Sequence, residues 1–523
     1  MKTSKIINNS KSLFLVLLLL TIVFNFYSCT DDLDKSSTNS IEADKIYTSV
    51  GAYKQSLAGA YSILIYGEFL RYYWCMQEYT TDEAVSTWND RGDGIYHELA
   101  WSADSEAIGI VFNSSIHAIS LCNDFINQSS DENISKRGFT GTEATEIQQF
   151  RAEARYLRAY LYWILMDSYG NPPFPTEITL ANKSKIPQIQ RADLFDYIET
   201  ELKEIDPILA NPRINERGRP DKAAAWALLS RMYLNGTIYT GEDRYTDAIT
   251  YCDKIINAGY TLETNYAWLM LGDNHLNTNE FIFAITYDNT NNTYNTTNFL
   301  CLGPAGVPKN LTGIDQDSWQ CFRFTQQIPA LFPTLTPTID KRALFHTRDQ
   351  KLEVTTISKS TNGYSAYKYR NVDRTGAAIV QSRAEKNLSD IDFPVFRMAE
   401  IYMTYAEAVV RGGSGGTKAT ALTYVNKIRG RAYANNPNST SGNITESQLN
   451  LDFILDEKAR EFYWETHRRT DLVRHNKLTT GSYLWAWKGG LKEGTAVDAK
   501  YNLFPIPTSG LLANPNLKQI SGF

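Results

Sequence analysis

The chain has 523 residues, 52 of them basic and 58 acidic, for a formal charge of −6. Without Lys2, Lys5 and Lys11 of its N-terminal segment the balance is still more acidic, which excludes the global basic field that draws nucleic acid or anionic lipid. The length suffices for one large domain or two or three small ones, and 32 tyrosines and 10 tryptophans supply ring faces that suit neutral sugars as well as helical cores.

In chain order, the three lysines precede an apolar run from Leu13 to Phe24, shorter than the roughly 20 residues of a membrane span. Residues 1–28 therefore read as a signal peptide. Ser28-Cys29 resembles the lipobox of bacterial lipoproteins, in which the cysteine is acylated and becomes the first residue; a plain secretory signal is the competing expectation. Residues 29–45 follow as a lipidated, flexible tether and residues 46–523 as the body. Asp31, Asp32 and Asp34 read either as a surface-export signal or as ordinary solvated tether.

Apolar residues three and four apart predict helices over Ser49–Tyr66, Glu106–Asn127, Thr142–Tyr169, Arg191–Leu209, Ala223–Leu234 and Arg244–Asn257. Between the first two runs an aromatic, turn-rich stretch, Tyr72 to Trp101, whose Asn89-Asp90-Arg91-Gly92-Asp93-Gly94 cluster marks an exposed loop. Small residues at Ala224, Ala227, Ala248 and Ala258 predict close helix crossings of a tetratricopeptide-like kind. From about 260 to 394 the helical period fails and Asn, Thr, Gly and Pro dominate around one strand, Glu280–Tyr287, which predicts an elaborated binding region. A helix pair then resumes at Phe396–Arg411 and Thr417–Arg431, followed by helices at Leu449–Glu465 and near Asp471. The expected architecture is mainly α: a helix-pair scaffold over 46–259 and 395–435, a loop-rich region at 260–394, few short strands, and a C-terminal part at 449–523.

Several segments, in this order, resemble the SusD-like (SusD/RagB) family of nutrient-binding lipoproteins. They are Glu153-Ala154-Arg155-Tyr156-Leu157-Arg158 with Asp167-Ser168-Tyr169-Gly170, Arg219-Pro220-Asp221-Lys222-Ala223, Arg397-Met398-Ala399-Glu400, Asp456-Glu457-Lys458-Ala459-Arg460-Glu461-Phe462 with Arg468-Arg469-Thr470-Asp471-Leu472, and Phe504-Pro505-Ile506-Pro507. What the resemblance implies is a non-enzymatic, lipid-anchored protein of the outer membrane that caps a SusC-like, TonB-dependent barrel and delivers oligosaccharide to it, with no cofactor.

A sugar site needs flat rings for C–H faces and amides, carboxylates or guanidinium groups for hydroxyls. Trp88, Asn89, Asp90 and Arg91 offer that mixture in one loop, Trp319 with Arg323 in another, and Tyr287 at the end of the expected strand. The resemblance implies a sugar-contacting aromatic near both tryptophans; the bland alternative is that each packs its own loop. Trp74 and Trp101 read as core. Two other readings stay open. Glu457, Glu461 and Glu465 on one helical face offer paired carboxylates to a glycosidase, although helix ion pairs Asp456–Arg460 and Glu465–Arg469 explain the row more simply. The helix pairs alone would suit a protein-binding adaptor, or the loops a peptide nutrient. The six histidines have no zinc spacing, and Gly412–Gly416 lacks the order of a phosphate loop. Cys75, Cys122, Cys252, Cys301 and Cys321 form no CxxC, leaving Cys301–Cys321 as a candidate cross-link.

Overall fold

Where the apolar period is strong, capping chemistry sets the ends. Asp221 accepts hydrogen bonds from the amides of Ala223 (2.8 Å) and Ala224 (3.2 Å), starting a helix directly after Pro220. Gly170, at φ +71, ends the longest helix ahead of Pro172-Pro173. The computed structural model describes residues 43–65, 68–89, 92–177, 186–288, 290, 296–380 and 388–523. Cys29, the expected signal segment 1–28 and Asp90 and Arg91 lie outside the described residues; residues 43–45, expected to end a tether, belong to a single helical turn, Ala43–Ile46.

The longer helices are Val50–Ile65 (α1), Phe69–Glu78 (α2), Glu106–Gln128 (α3), Gly141–Tyr169 (α4), Arg191–Ile205 (α5), Lys222–Leu234 (α6), Tyr245–Asn257 (α7), Met398–Val410 (α8), Lys418–Ala434 (α9), Leu451–Phe462 (α10) and Arg468–Arg474 (α11). Packing joins α3 to α4, α4 to α5, α6 to α7, α7 to α8 and α8 to α9. Ala224, Ala227 and Ala248 are fully buried, as close crossings require, while Ala258 stays partly exposed. Helices α7 and α8 are neighbours although some 140 residues of chain separate them, so the loop-rich region is an insertion between adjacent helices of the stack. Gly412–Gly416 is the turn from α8 to α9, and a Cβ on Gly413 would come within 2.9 Å of Tyr245.

Four expectations are corrected. Helix α2 runs from Phe69 into the stretch read as turns, and nine of its residues, Trp74 among them, are buried. The expected strand is shorter, Phe281–Ile285 (β2 below), and its partner, Phe393–Arg397, was missed because helical spacing was read into it from Phe396. Helix α10 stops at Phe462: Trp464 (φ 62) and Thr466 (φ 64) turn the chain, so Glu465 leaves the helical face it was expected to share with Glu457 and Glu461. Cys301 and Cys321 are both buried free thiols, and Cys321 Sγ contacts the Tyr79 hydroxyl at 3.2 Å instead.

The strands come in antiparallel pairs. Val85–Ser86 (β1) pairs with Phe322–Arg323 (β3), β2 with Phe393–Arg397 (β6), and Phe345–His346 (β4) with Ser365–Ala366 (β5). The β2–β6 ladder aligns Phe281 with Arg397 and Ile285 with Phe393, drawing the two ends of the insertion together.

Below that ladder lies a charge network with almost no exposure. Arg397 reaches Glu280 (2.9 Å), Glu461 (2.6 Å) and Glu465 (2.7 Å); Arg431 pairs with Glu280 (3.1 Å) and Glu461; Arg342 pairs with Asp340 (2.7 Å), Glu457 (2.9 Å) and Glu461 (3.2 Å); Lys368 pairs with Glu465 (2.6 Å). The expected pairs do not form: Arg460 turns to Glu457 at 2.9 Å, and Arg469 donates to the carbonyls of Tyr501 and Asn502. Against the cost of burial, the surrounding guanidinium groups hold the Glu457 and Glu461 carboxyls below the usual carboxylate range. Removing one member strands its partners as uncompensated charges, so Arg397→Ala should lower unfolding stability by about 3–5 kcal/mol in urea titration, far more than loss of an exposed pair such as Lys309–Asp315.

The chain after β1 is anchored by a buried histidine. His97 ends the helical turn Gly94–His97, is fully buried, and donates from Nε2 to the Ala486 carbonyl at 2.7 Å. Burial lowers its pKa to about 4. From about pH 6.5 down to that value the unfolded chain binds a proton that the folded chain refuses, so this group's stabilisation is full above 6.5 and is lost as pH falls. Glu83, pushed up to about 7 by burial, acts in the opposite sense. The difference in unfolding free energy between wild type and His97→Gln isolates the histidine, and should shrink by about 2 kcal/mol between pH 7 and pH 5.

Candidate functional site

The β1–β3 ladder builds the site. Val85 faces Arg323 and Ser86 faces Phe322, and the Thr87 amide extends the register by donating to the Cys321 carbonyl at 2.7 Å. Trp88 therefore emerges from one strand where Trp319 enters the other, and the two indoles lie with centroids 6.3 Å apart and planes inclined by 28°. Both rings are part-exposed, unlike Trp74 and Trp101, which are buried as expected. The backbone of the Trp319 loop is pinned by the Trp319 amide on the Leu302 carbonyl (2.6 Å) and the Cys321 amide on Gly303 (2.7 Å). Gly303 is required there, because a Cβ would stand 2.3 Å from the Phe322 ring.

Strand β3 is rooted in an aromatic cluster. Trp74 packs against Phe322 (4.7 Å between centroids) and Phe299 (5.4 Å), Phe322 against Trp464 (4.8 Å), and Phe324 stacks on Trp464 at 4.4 Å. The strand that follows the Trp319 loop is thus set among close-packed rings. One polar residue went unnoticed in the sequence. Arg71, on α2, sets its guanidinium 4.8 Å from the Phe299 ring and 5.9 Å from that of Trp88, at the edge of the platform. A lone arginine in an otherwise buried aromatic helix was the signal.

The other expected residues divide. Asn89 is exposed beside Trp88, and its Oδ1 accepts from the Gly94 amide at 3.4 Å. Asp90 and Arg91 lie outside the described residues. Arg323 is corrected from ligand contact to internal brace. It is fully buried and donates to the backbone carbonyls of Val85 (2.9 Å), Asn362 (2.7 Å), Lys359 (3.2 Å) and Ile357. Burial without a carboxylate lowers its pKa to about 10, still well above neutrality. Tyr287 is 2% exposed, too enclosed to offer a ring face, and its amide donates to Asp392 at 3.1 Å.

A second cavity of 220 Å³, lined by Arg213, Arg217, Asn277 and Asp392 among others, shares no residue with the platform. Arg217 is met by Asp392 and Arg219 by Glu153 at 2.6 Å, while Arg213 donates to the Gly259 carbonyl (3.1 Å) and Asn279 Oδ1 (3.2 Å). No cluster of metal-ligating side chains occurs among the described residues. The carboxylates of Glu457, Glu461 and Glu465 are sealed in the charge network, with no open face toward a substrate.

Comparison with known proteins agrees with this architecture. Residues 346–523 match the model described as "SusD family", and residues 33–234 one described as "Starch-binding associating with outer membrane". The starch-binding protein SusD of Bacteroides thetaiotaomicron is 32% identical over 497 residues, 85% of this chain and 84% of that protein. SusD-like protein P25 of Formosa agariphila is 22% identical, covering 88% and 89%. Among solved structures, a SusD superfamily protein from Parabacteroides distasonis superposes with a TM-score of 0.70 at 22% identity, over 91% of this chain and 98% of that one. A surface glycan-binding protein A from Bacteroides thetaiotaomicron, in complex with laminarihexaose, gives 0.67 at 19% identity, over 90% and 99%. Sustained identity to SusD along most of the chain, on the helix-pair fold just described, places this protein in the SusD family.

Proposed function

We propose that this chain is a non-catalytic glycan-binding lipoprotein, tethered to the outer membrane through lipid on Cys29, that presents oligosaccharide to a SusC-like, TonB-dependent barrel. The observation that carries the reading is the Trp88–Trp319 platform: two part-exposed indoles held in fixed register by the β1–β3 ladder. Faces of this kind match the apolar C–H faces of pyranose rings, while Asn89, Asp90, Arg91 and Arg71 supply donors and acceptors for hydroxyls at the rim. The family's starch-binding member supports the ligand class, and the outer-membrane description of the matched family supports the placement. Delivery to a barrel rests on the resemblance alone. A glycosidase reading finds no support, since the carboxylate row it needs is enclosed by guanidinium groups.

Calorimetry of the mature protein against maltoheptaose and laminarihexaose should detect binding to at least one. Trp319→Ala, removing one ring of the platform, should weaken it by about tenfold to a hundredfold, the equivalent of about 1.5–3 kcal/mol of lost apolar contact. The oligosaccharide should return uncut. Silence toward both glycans, or binding untouched by Trp319→Ala together with Trp88→Ala, overturns the site and favours an adaptor or a peptide binder.

The anchor is tested separately. Mass spectrometry should find a mature N-terminus at acylated Cys29, and Cys29→Ser should move the protein from the membrane fraction to the soluble one. An unacylated wild-type terminus overturns the tethering.

A further inference from the structure

Beside the platform lies a cleft of 150 Å³, lined by Gln320 together with Gly306, Pro308 and residues 346, 348–350, 360 and 361. Gln320 is the residue directly after Trp319, its Cα about 4 Å from that of Trp319, so the cleft begins at the next residue along the chain. At φ +56 Gln320 occupies the left-handed region, unusual for a residue other than glycine. Its carbonyl accepts from Thr87 Oγ1, which fixes the backbone across to the Trp88 strand and leaves the side chain exposed.

The walls are rigid and the surface groups are open. Gln350 is clamped by its Nε2 on the Ala305 carbonyl (2.7 Å) and by the Ser365 amide on its Oε1 (3.1 Å), and Arg323 holds the 357–362 turn through backbone carbonyls. By contrast, the side chains of His346, Arg348, Asp349, Ser360 and Thr361 make no hydrogen bond or ion pair among the described residues. Arg348 and Asp349 are exposed, the latter at φ +60. Together these groups comprise donor-only, acceptor-only and dual-role partners, the set that sugar hydroxyls can satisfy. One cation beside one anion keeps the cleft near neutral, which favours a neutral sugar over a uronic or sulfated one. No large aromatic ring lines it, so it meets a sugar at its hydroxyl edge rather than its face.

We infer that this cleft is a second subsite for the same glycan, one that takes the hydroxyl edge of a neutral sugar unit flanking the unit stacked on the indoles. The inference rests on the glycan reading of the platform and adds direction to it. The oligosaccharide runs from Trp88 across Trp319 and Gln320 toward His346–Asp349, and chains long enough to reach the cleft are preferred over those that fill only the platform.

The test uses the full mature chain and compares long with short probes, maltoheptaose with maltotriose and laminarihexaose with laminaribiose. In the glycan series that binds, wild type should prefer the long member. The double variant Arg348→Ala/Asp349→Ala should lose roughly tenfold toward the long probe, as expected for two hydroxyl contacts, with the short probe unchanged. Gln320→Ala should act in the same direction and less strongly. Unchanged short-probe binding also certifies the fold of each variant. Equal affinity of the double variant and wild type for the long probe, or an equal loss on both lengths, overturns the subsite while leaving the platform intact. If wild type binds neither series, or Trp319→Ala with Trp88→Ala changes nothing, the glycan reading falls and the subsite with it.

Discussion

A charge taken out of water must be met inside, and that constraint holds this fold together. The 258–397 insertion has little regular structure and cannot draw stability from long helices or broad sheets. What it has is Glu280 at one end and Arg397 at the other, bound to each other at 2.9 Å and to Arg431 of α9 and Glu461 of α10. Each of these groups is nearly inaccessible, so none can leave its partners without facing an apolar interior. The insertion is therefore fixed to the helical stack at its neck by electrostatic necessity. Such a network is weak evidence for high stability, but it imposes one arrangement on segments far apart in sequence.

On that base a second buried arginine sets the site. Arg323 has no carboxylate, and its guanidinium is satisfied by main-chain carbonyls from β1 and from the 357–362 turn. Carbonyl partners carry no net charge, so the brace depends on geometry, and geometry is what it transmits. Val85 is kept beside β3, which places Trp88 opposite Trp319; the turn that carries Ser360 and Thr361 is kept beside the same strand. Gly363 follows from this crowding, since at φ +94 a Cβ would lie 2.6 Å from Arg323 Cγ. One side chain thereby couples the indole platform to the cleft beside it.

How much of this the sequence disclosed follows the range of the interactions. Helices α3 to α7 were legible because their signal is local: apolar spacing, an Asp221 cap, a Gly170 stop. The ends of the insertion were not, because β6 precedes α8 without a break and alternation over five residues is easily read as helical period. Helix α2 was hidden by its composition: four of its ten residues are aromatic, and beside the Asn-Asp-Gly cluster that follows they read as loop rings. At the site, both tryptophans were legible from loop composition, but their stacking was not, since it depends on a two-residue ladder between positions more than 230 apart. Arg323 and Tyr287 were misread for a related reason. A guanidinium or phenol near a loop looks like a ligand contact in one dimension, and only the folded chain reveals that it faces inward.

The division of labour between these two arginine centres bears on how such a scaffold can serve different glycans. Pairing in the Arg397 network requires particular charges at particular places, and Arg323 requires particular backbone carbonyls; neither constrains the identity of side chains on the outer loops. Exposed residues such as Asn89, Gln320, Arg348 and Asp349 can thus vary in rim polarity without disturbing the stack, provided the β1–β3 register is kept. The two indoles are held by the strand ladder itself, so any group that stacks on them meets little ordering cost.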